Sequence, residues 1–300
     1  MQAEWRTVGL RLALCFIALT VCLAVPAGSA SSGRDLAAFG GLGTWVDVWD
    51  TAVWKSPEAA VATMQANGVT TLYLETSNYS RPVDLVQANA LGRLLDSAHA
   101  AGMRVVAWYL PSFANGARDF RRSLAAIHFR SPNGATFDSF ALDIEASVVK
   151  QPSKRTTRVL ALARRLRTAT AAGYTLGAII PAPRGMDLNP KYWPGFPYAQ
   201  LAETFDVFLP MSYFTYRFKT AAASRDYTKA NVELLRERAG EEALAVHVVG
   251  GLARAATTAQ VRAFAAAALE SSATGASLYD YADTKPAQWR ALAELVPAAG

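Results

Sequence analysis

The feature that most constrains this chain is an alternation repeated eight times. From Gly43 onward, short runs rich in β-branched and aromatic residues give way to alanine-rich stretches with helical spacing. The runs lie at Thr44–Trp49, Thr70–Thr76, Arg104–Leu110, Ser139–Ile144, Thr175–Pro181, Val207–Tyr213, Ala243–Val249 and Ala276–Tyr281. The helical stretches fall near 57–67, 85–101, 119–128, 154–172, 198–204, 228–239, 257–273 and 285–295. Strands separated by helices pair in parallel, through crossovers. Eight such units predict an α/β fold of the (β/α)8 TIM-barrel type, in a single domain. An open doubly wound sheet is the competing layout, but no glycine-rich phosphate loop follows the first run. Ser56-Pro57 and Thr257-Thr258 read as helix starts; Gly68, Gly102, Gly173, Gly240 and Gly275 read as helix stops.

The chain before Gly43 has a different character. Arg6 and Arg11 precede the apolar stretch Leu12 to Val25, and Gly28-Ser29-Ala30 offers small residues for cleavage. Residues 1–30 are therefore expected to be a signal peptide, 31–42 a Ser/Gly-rich linker, and 43–300 the barrel. An uncleaved leader would be the one route to a membrane, and the apolar stretch is short for a span. Cys15 and Cys22 are the only cysteines and both lie in that leader. The exported chain would have neither disulfide nor thiolate chemistry, and about 270 residues suffice for a core without them. A secreted or envelope-associated bacterial protein is expected, acting as a monomer. The 30 basic and 24 acidic residues give +6, a modest bias toward anionic polymers. The basic run Lys154 to Arg167 carries Val159, Leu162, Ala163 and Leu166 on one face, which reads as an outer helix with a solvated side. No nucleic-acid motif is present.

A barrel gathers its chemistry at the C-terminal ends of its strands. There the sequence offers Asp47 and Trp49, Glu75, Trp108 and Tyr109, Asp143 and Glu145, then Pro181, Pro183 and Arg184. Met211 and Tyr213 follow on the sixth run, and Tyr279, Asp280 and Tyr281 on the eighth. Asp143 and Glu145 end an apolar run two residues apart, so a strand would aim both at one face. Two such acids are costly unless used, and they can hold different pKa values, as glycoside hydrolysis requires. Asp47, Glu75, Tyr109, Met211, Tyr213, Tyr279 and Asp280 are the expected substrate-binding residues. Acids interleaved with aromatics suit a sugar, whose C–H faces pack on rings while its hydroxyls meet carboxylates. Tyr192, Trp193, Phe196 and Tyr198, in the segment 186–198, are expected to wall a cleft. His247 has no partner in metal-ligand spacing and reads as a core residue. No cofactor or metal is expected.

The segment Asp138-Ser-Phe-Ala-Leu-Asp143-Ile-Glu145 resembles the strand-four signature D-x-x-D-x-D-x-E of the chitinase-like glycoside hydrolases of family 18. The resemblance implies that Glu145 is the general acid and that Asp143 steadies the substrate's N-acetyl group. Met211-Ser212-Tyr213 is similar to that family's Met-x-Tyr, which implies that Tyr213 touches the acetamido group. Ala141 and Phe214 depart from the pattern, each standing where the family has an aspartate. The Asp-x-Glu, Asp47 in Thr44-Trp-Val-Asp-Val and the aromatic run Ser277-Leu-Tyr-Asp-Tyr also resemble the lysozyme-like hydrolases of family 25. The seventh run ends without a glutamate, so the partner of Glu145 would be the substrate's own acetamide or one of Asp47, Glu75 and Asp280. The expected activity is hydrolysis of an N-acetylhexosamine-containing polysaccharide. A carbohydrate-binding barrel without catalysis and a hydrolase of a non-acetylated glycan are the alternatives.

Overall fold

Strands that are buried on both faces lose the polar alternation of a half-exposed sheet, and all eight runs have that signature. In the computed structural model, which describes residues 34–295, they close into an all-parallel barrel in chain order. The strands are β1 (Gly41–Val46), β2 (Thr71–Asn78), β3 (Arg104–Leu110), β4 (Ser139–Asp143), β5 (Leu176–Pro181), β6 (Val207–Met211), β7 (Ala245–Leu252) and β8 (Gly275–Tyr279). Closure is made by β8 on β1, with Gly41 opposite Gly275. The outer layer holds α1 (Thr51–Lys55), α2 (Pro57–Ala66), α3 (Ala88–Ala100), α4 (Gly116–Ile127), α5 (Pro152–Ala169), α6 (Pro183–Leu188), α7 (Tyr198–Ala202), α8 (Ala221–Ala239), α9 (Thr258–Glu270) and α10 (Pro286–Leu292). The fold is a TIM barrel. The expected leader, with Cys15 and Cys22, lies outside the described residues.

The differences from the sequence reading have local causes. The first strand starts at Gly41 rather than Thr44, and Asp47 to Trp49 lie beyond its end. Part of the expected linker is structural: Ala37–Phe39 forms a 3-10 turn, and Phe39 is fully buried inside the barrel. Two short helices, α1 and α6, are additions in the loops after β1 and β5. The helix expected from 228 starts at Ala221, where the Thr220 hydroxyl accepts the Ala223 amide as a cap. Thr257 makes the expected start of α9 in a capping box with Gln260. Gly68, Gly102 and Gly240 take the left-handed conformation where helices stop. Gly173 and Gly275 do not. Gly275 sits inside β8, where an added Cβ would lie 2.6 Å from both His247 Nδ1 and the Phe39 carbonyl.

Inward-facing side chains fill the lower half of the barrel and leave the upper half open. Trp45 stacks on Tyr73 at 4.3 Å between ring centroids and meets Trp108 edge-on at 5.8 Å. Below them Phe39 closes the N-terminal end, in one cluster with Val106, Ala141 and Val207. A polar thread runs through this plug. Trp45 Nε1 donates to Ser277 Oγ at 2.7 Å, Ser277 Oγ donates to His247 Nε2 at 2.9 Å, and His247 Nδ1 donates to the Phe39 carbonyl at 2.9 Å. This assigns neutral imidazole, and burial holds its pKa down at about 4. His247 is thus the core residue expected from the sequence. The rings fit because Gly43 has no side chain: a Cβ there would lie 2.7 Å from Tyr73 and 2.9 Å from His247. Gly43→Ala should therefore overpack the plug and destabilise the fold by about 1–3 kcal/mol, measured as a lowered midpoint in chemical denaturation; an unchanged midpoint would show that the plug is slack.

Candidate active site

Above the Trp45–Tyr73 stack the barrel opens into a cavity of about 290 Å³ at the C-terminal ends of the strands. The pleat of β4 supplies its acids. Phe140, Leu142 and Ile144 pack against the helical layer, while Asp143 and Glu145 face the cavity. Asp143 is buried, and its Oδ1 has no hydrogen-bond partner among the described residues. Burial raises its pKa well above the usual carboxylate range, and the nearby charges of Glu145 and Glu75 push it further. Glu145 is half-buried, and burial raises its pKa too. Two adjacent raised acids titrate as a pair, so one proton stays on the pair at pH values where exposed carboxyls have lost theirs.

The remaining acids are held more firmly. Glu75 accepts the Val48 amide at 2.9 Å and Asn78 Nδ2 at 3.0 Å; burial outweighs these bonds and pushes its pKa up to about 7. Asp47 accepts the Trp49 amide at 2.7 Å and the Tyr279 hydroxyl at 2.8 Å. Trp108 lines the cavity with its indole N–H unpartnered and buried. Met211 and Tyr213 complete the wall opposite β2, and Tyr213 lies within the influence of both Glu145 and Asp143. Among the described residues, the buried polar atoms of this lining that lack a partner are Asp143 Oδ1 and the Trp108 indole N–H. A ligand group with an N–H and a carbonyl would satisfy both.

The structure brings Asp47, Glu75, Asp143, Glu145, Met211, Tyr213 and Tyr279 to this one cavity. It does not bring Tyr109 or Asp280. The pleat turns Tyr109 outward, where its hydroxyl donates to Asp119 at 2.9 Å, and neighbouring Trp108 takes the cavity position. Asp280 follows the inward Tyr279 and accepts the Asp283 amide at 3.0 Å instead. One oxygen each from Asp47, Asp50 and Asp280 lie within 4.8 Å of one another. Asp47 Oδ1 and Oδ2, Asp50 Oδ2 and Asp280 Oδ1 in this group already accept protein donors. Asp138, the first acid of the strand-four motif, sits at the opposite end of β4. It is clasped there by His99 Nε2 at 2.8 Å and Arg104 at 2.9 Å. Phe214 is turned into the helical layer against Phe264. Trp193, Phe196 and Tyr198 are buried and line a separate cavity of about 480 Å³ with Met186 and Arg238, whereas Tyr192 lines the cavity beside Glu145.

Many solved structures share this architecture. The barrel is similar to those of glycoside hydrolases. A chitinase from Bacteroides thetaiotaomicron matches with a TM-score of 0.62 at 12% identity, over 86% of this chain and 95% of that one. The spore cortex-lytic enzyme SleL of Bacillus cereus matches at 0.64 and 9%, over 86% of this chain and 74% of that one. An endo-β-1,4-mannanase from Thermotoga petrophila matches at 0.64 and 11%, over 81% of this chain and 68% of that one. At these identities the likeness is one of fold. No family model matches the sequence, and a comparison with curated proteins finds no match.

Glu145 lies two residues past the end of β4, and side chains from the β5–α7 segment hold it there. The Tyr192 hydroxyl donates to the Glu145 carbonyl, and the Tyr192 carbonyl in turn accepts from Arg155. Arg155 is buried near the start of α5, over the ring of Trp193 at 4.2 Å. Beyond Glu145 a second lobe of about 270 Å³ opens, sharing Glu145, Met211, Tyr213 and Tyr216 with the first. Arg155 has no marker in the sequence, whereas Tyr192, in the segment expected to wall a cleft, does line this lobe.

The raised acids have a consequence for stability. A carboxyl whose folded pKa exceeds its unfolded value, about 3.9 for Asp, contributes stability below that value and loses it as pH rises through the folded pKa. Asp50, raised to about 7, and Glu75 act in the same direction, whereas His247 destabilises only as pH falls below its unfolded pKa. The difference between wild type and Asp143→Asn isolates Asp143. Thermal melts from pH 4 to 9 should show the variant losing less stability toward high pH. Parallel curves would mean that Asp143 carries no raised pKa.

Proposed function

We propose that this protein hydrolyses glycosidic bonds in a polysaccharide containing N-acetylhexosamine, outside the cytoplasm. The observation that carries the reading is the buried, unpartnered Asp143 Oδ1 beside the raised carboxyl of Glu145. In the proposed reaction Glu145 is protonated and donates to the glycosidic oxygen as the bond to the anomeric carbon breaks. The acetamide carbonyl of the same sugar attacks that carbon, while Asp143 accepts the acetamide N–H and balances the positive charge that develops. Water then opens the cyclic intermediate, with Glu145 accepting its proton. This route needs no protein nucleophile, consistent with a β7 end that carries none. Trp108 Nε1 and Tyr213 flank the acetamide, and the Trp45 ring forms the floor beneath the sugar.

Ala141 leaves no acid below Asp143, where Phe39, Tyr73 and Trp45 fill the space instead. The carboxylate that acts on Asp143 from the other side is Glu75 of β2. In this chain Glu75 would keep the proton-sharing pair poised, the part that residue 141 would otherwise play. The similarity to a chitinase and to a cortex-lytic enzyme supports a glycan-active barrel of this kind. The apolar stretch Leu12 to Val25 behind Arg6 and Arg11 supports export, and no helix among the described residues is long and apolar enough to cross a membrane.

Glu145→Gln should lower kcat on an N-acetylated polysaccharide by roughly a hundredfold to ten-thousandfold with an unchanged circular dichroism spectrum. Products are followed by mass spectrometry across acetylated and plain glycans. Undiminished turnover would remove Glu145 from its role. Oligosaccharide bound by both forms with no product from either would identify a binding barrel, the reading favoured by the apolar plug under Asp143.

A further inference from the structure

We infer that the lobe beyond Glu145 binds the leaving-group side of the glycan and selects a unit bearing a carboxylate, with Arg217 as its recognition residue. The inference rests on the glycoside-hydrolase reading of Glu145 and deepens it. Glu145 lines both lobes, with Met211, Tyr213 and Tyr216 as the sill between them. A proton donor at such a seam has room for sugar on either side of the bond it cleaves, so the polymer runs through the cleft. Exposed aromatics stand along that path. Trp49 projects at the rim of the first lobe with Arg81 over one ring face at 3.8 Å, and Tyr216 projects at the sill.

The two lobes differ in charge. The first is lined by Asp47, Glu75, Asp143 and Glu145; among its described lining residues the one cation, Arg254, is paired with Asp283 at 3.3 Å, and Arg81 at the rim stacks on Trp49 and acts on Glu75. An anionic sugar would be repelled there. In the second lobe Glu145 is the only acid, and Arg217 makes no ion pair among the described residues. Its guanidinium lies beside the Tyr227 hydroxyl, with Arg184 also acting on that tyrosine. Asn189 also lines this lobe. A guanidinium fork without an acid partner, set next to neutral hydrogen-bonding groups, matches a carboxylate in geometry and charge. A glycan alternating neutral acetamido units with carboxylate-bearing units would place the neutral unit over Asp143 and the charged one at Arg217.

The test is equilibrium binding to Glu145→Gln protein, which holds oligosaccharide without turnover. The probes are an N-acetylglucosamine oligomer and a matched oligomer whose alternate sugars carry an ether-linked carboxylate. A charge-assisted bond predicts about a tenfold preference for the carboxylated oligomer. Adding Arg217→Gln should erase the preference, Arg217→Lys should keep part of it, and raised salt should weaken it only where the cation is present. Equal affinity for the two oligomers, a preference that survives Arg217→Gln, or no binding of either would overturn the inference. Wild-type protein that binds with this preference but releases no product would refute the hydrolase reading and leave the recognition by Arg217 standing.

Discussion

Everything above β-strand midpoint in this barrel depends on how tightly its lower half is filled. The stacked Trp45 and Tyr73 occupy the axis, and Phe39 seals the end beneath them. A thread of buried polar groups is satisfied there in series, from indole to hydroxyl to imidazole to backbone carbonyl, while the Tyr73 hydroxyl has no partner among the described residues. Glycines at 43, 177 and 275 make the room, since a Cβ at any of them would press on Phe39, Tyr73 or His247. The plug sets the height of the floor, and the floor decides which inward residues are packing and which are exposed to a ligand. Ala141 falls below that line and Asp143 above it.

The same geometry explains the electrostatics. Acids at the strand ends are withdrawn from water by the rim, yet only some receive donors in exchange. Asp47 and Glu75 are bonded to loop amides and so are tied to the conformation of the segment after β1. Asp143 receives nothing on one oxygen. A fold that maximised stability alone would have paired that atom or replaced it, because an unmet buried carboxylate is among the more expensive groups a core can carry. Its presence marks the cavity as one place where stability is given up.

Much of this was legible in the sequence. Eight alternations specify the barrel, and period-two spacing puts Asp143 and Glu145 on one face, because both depend only on local geometry. Tyr109 was misplaced for an equally local reason: Trp108 and Tyr109 are adjacent aromatics, and the phase of the pleat, not residue type, decides which of them faces the axis. Asp280 fails in the same way beside Tyr279. Asp138 reads as part of a motif but lies a full strand length from the acids it precedes. The plug residue Phe39 was hidden in a stretch that looked like linker, since one 3-10 turn has no periodicity to detect. Arg217 comes from the turn after β6 and Arg155 from the start of α5, and no spacing rule ties either to the strand ends, whereas Tyr192 falls in the segment expected to wall a cleft.

The Tyr192 phenol on the Glu145 carbonyl has a consequence for how such a protein diversifies. The acid is not carried by the rigid sheet; it is moored to the segment after β5, which also walls the second lobe and is itself pinned by the buried Arg155. Sequence drift in that segment therefore alters what the cleft accepts and how well the acid is aimed in a single step. Selection would act on the two traits together, and a swapped loop from a homologue would transplant a rate along with a preference.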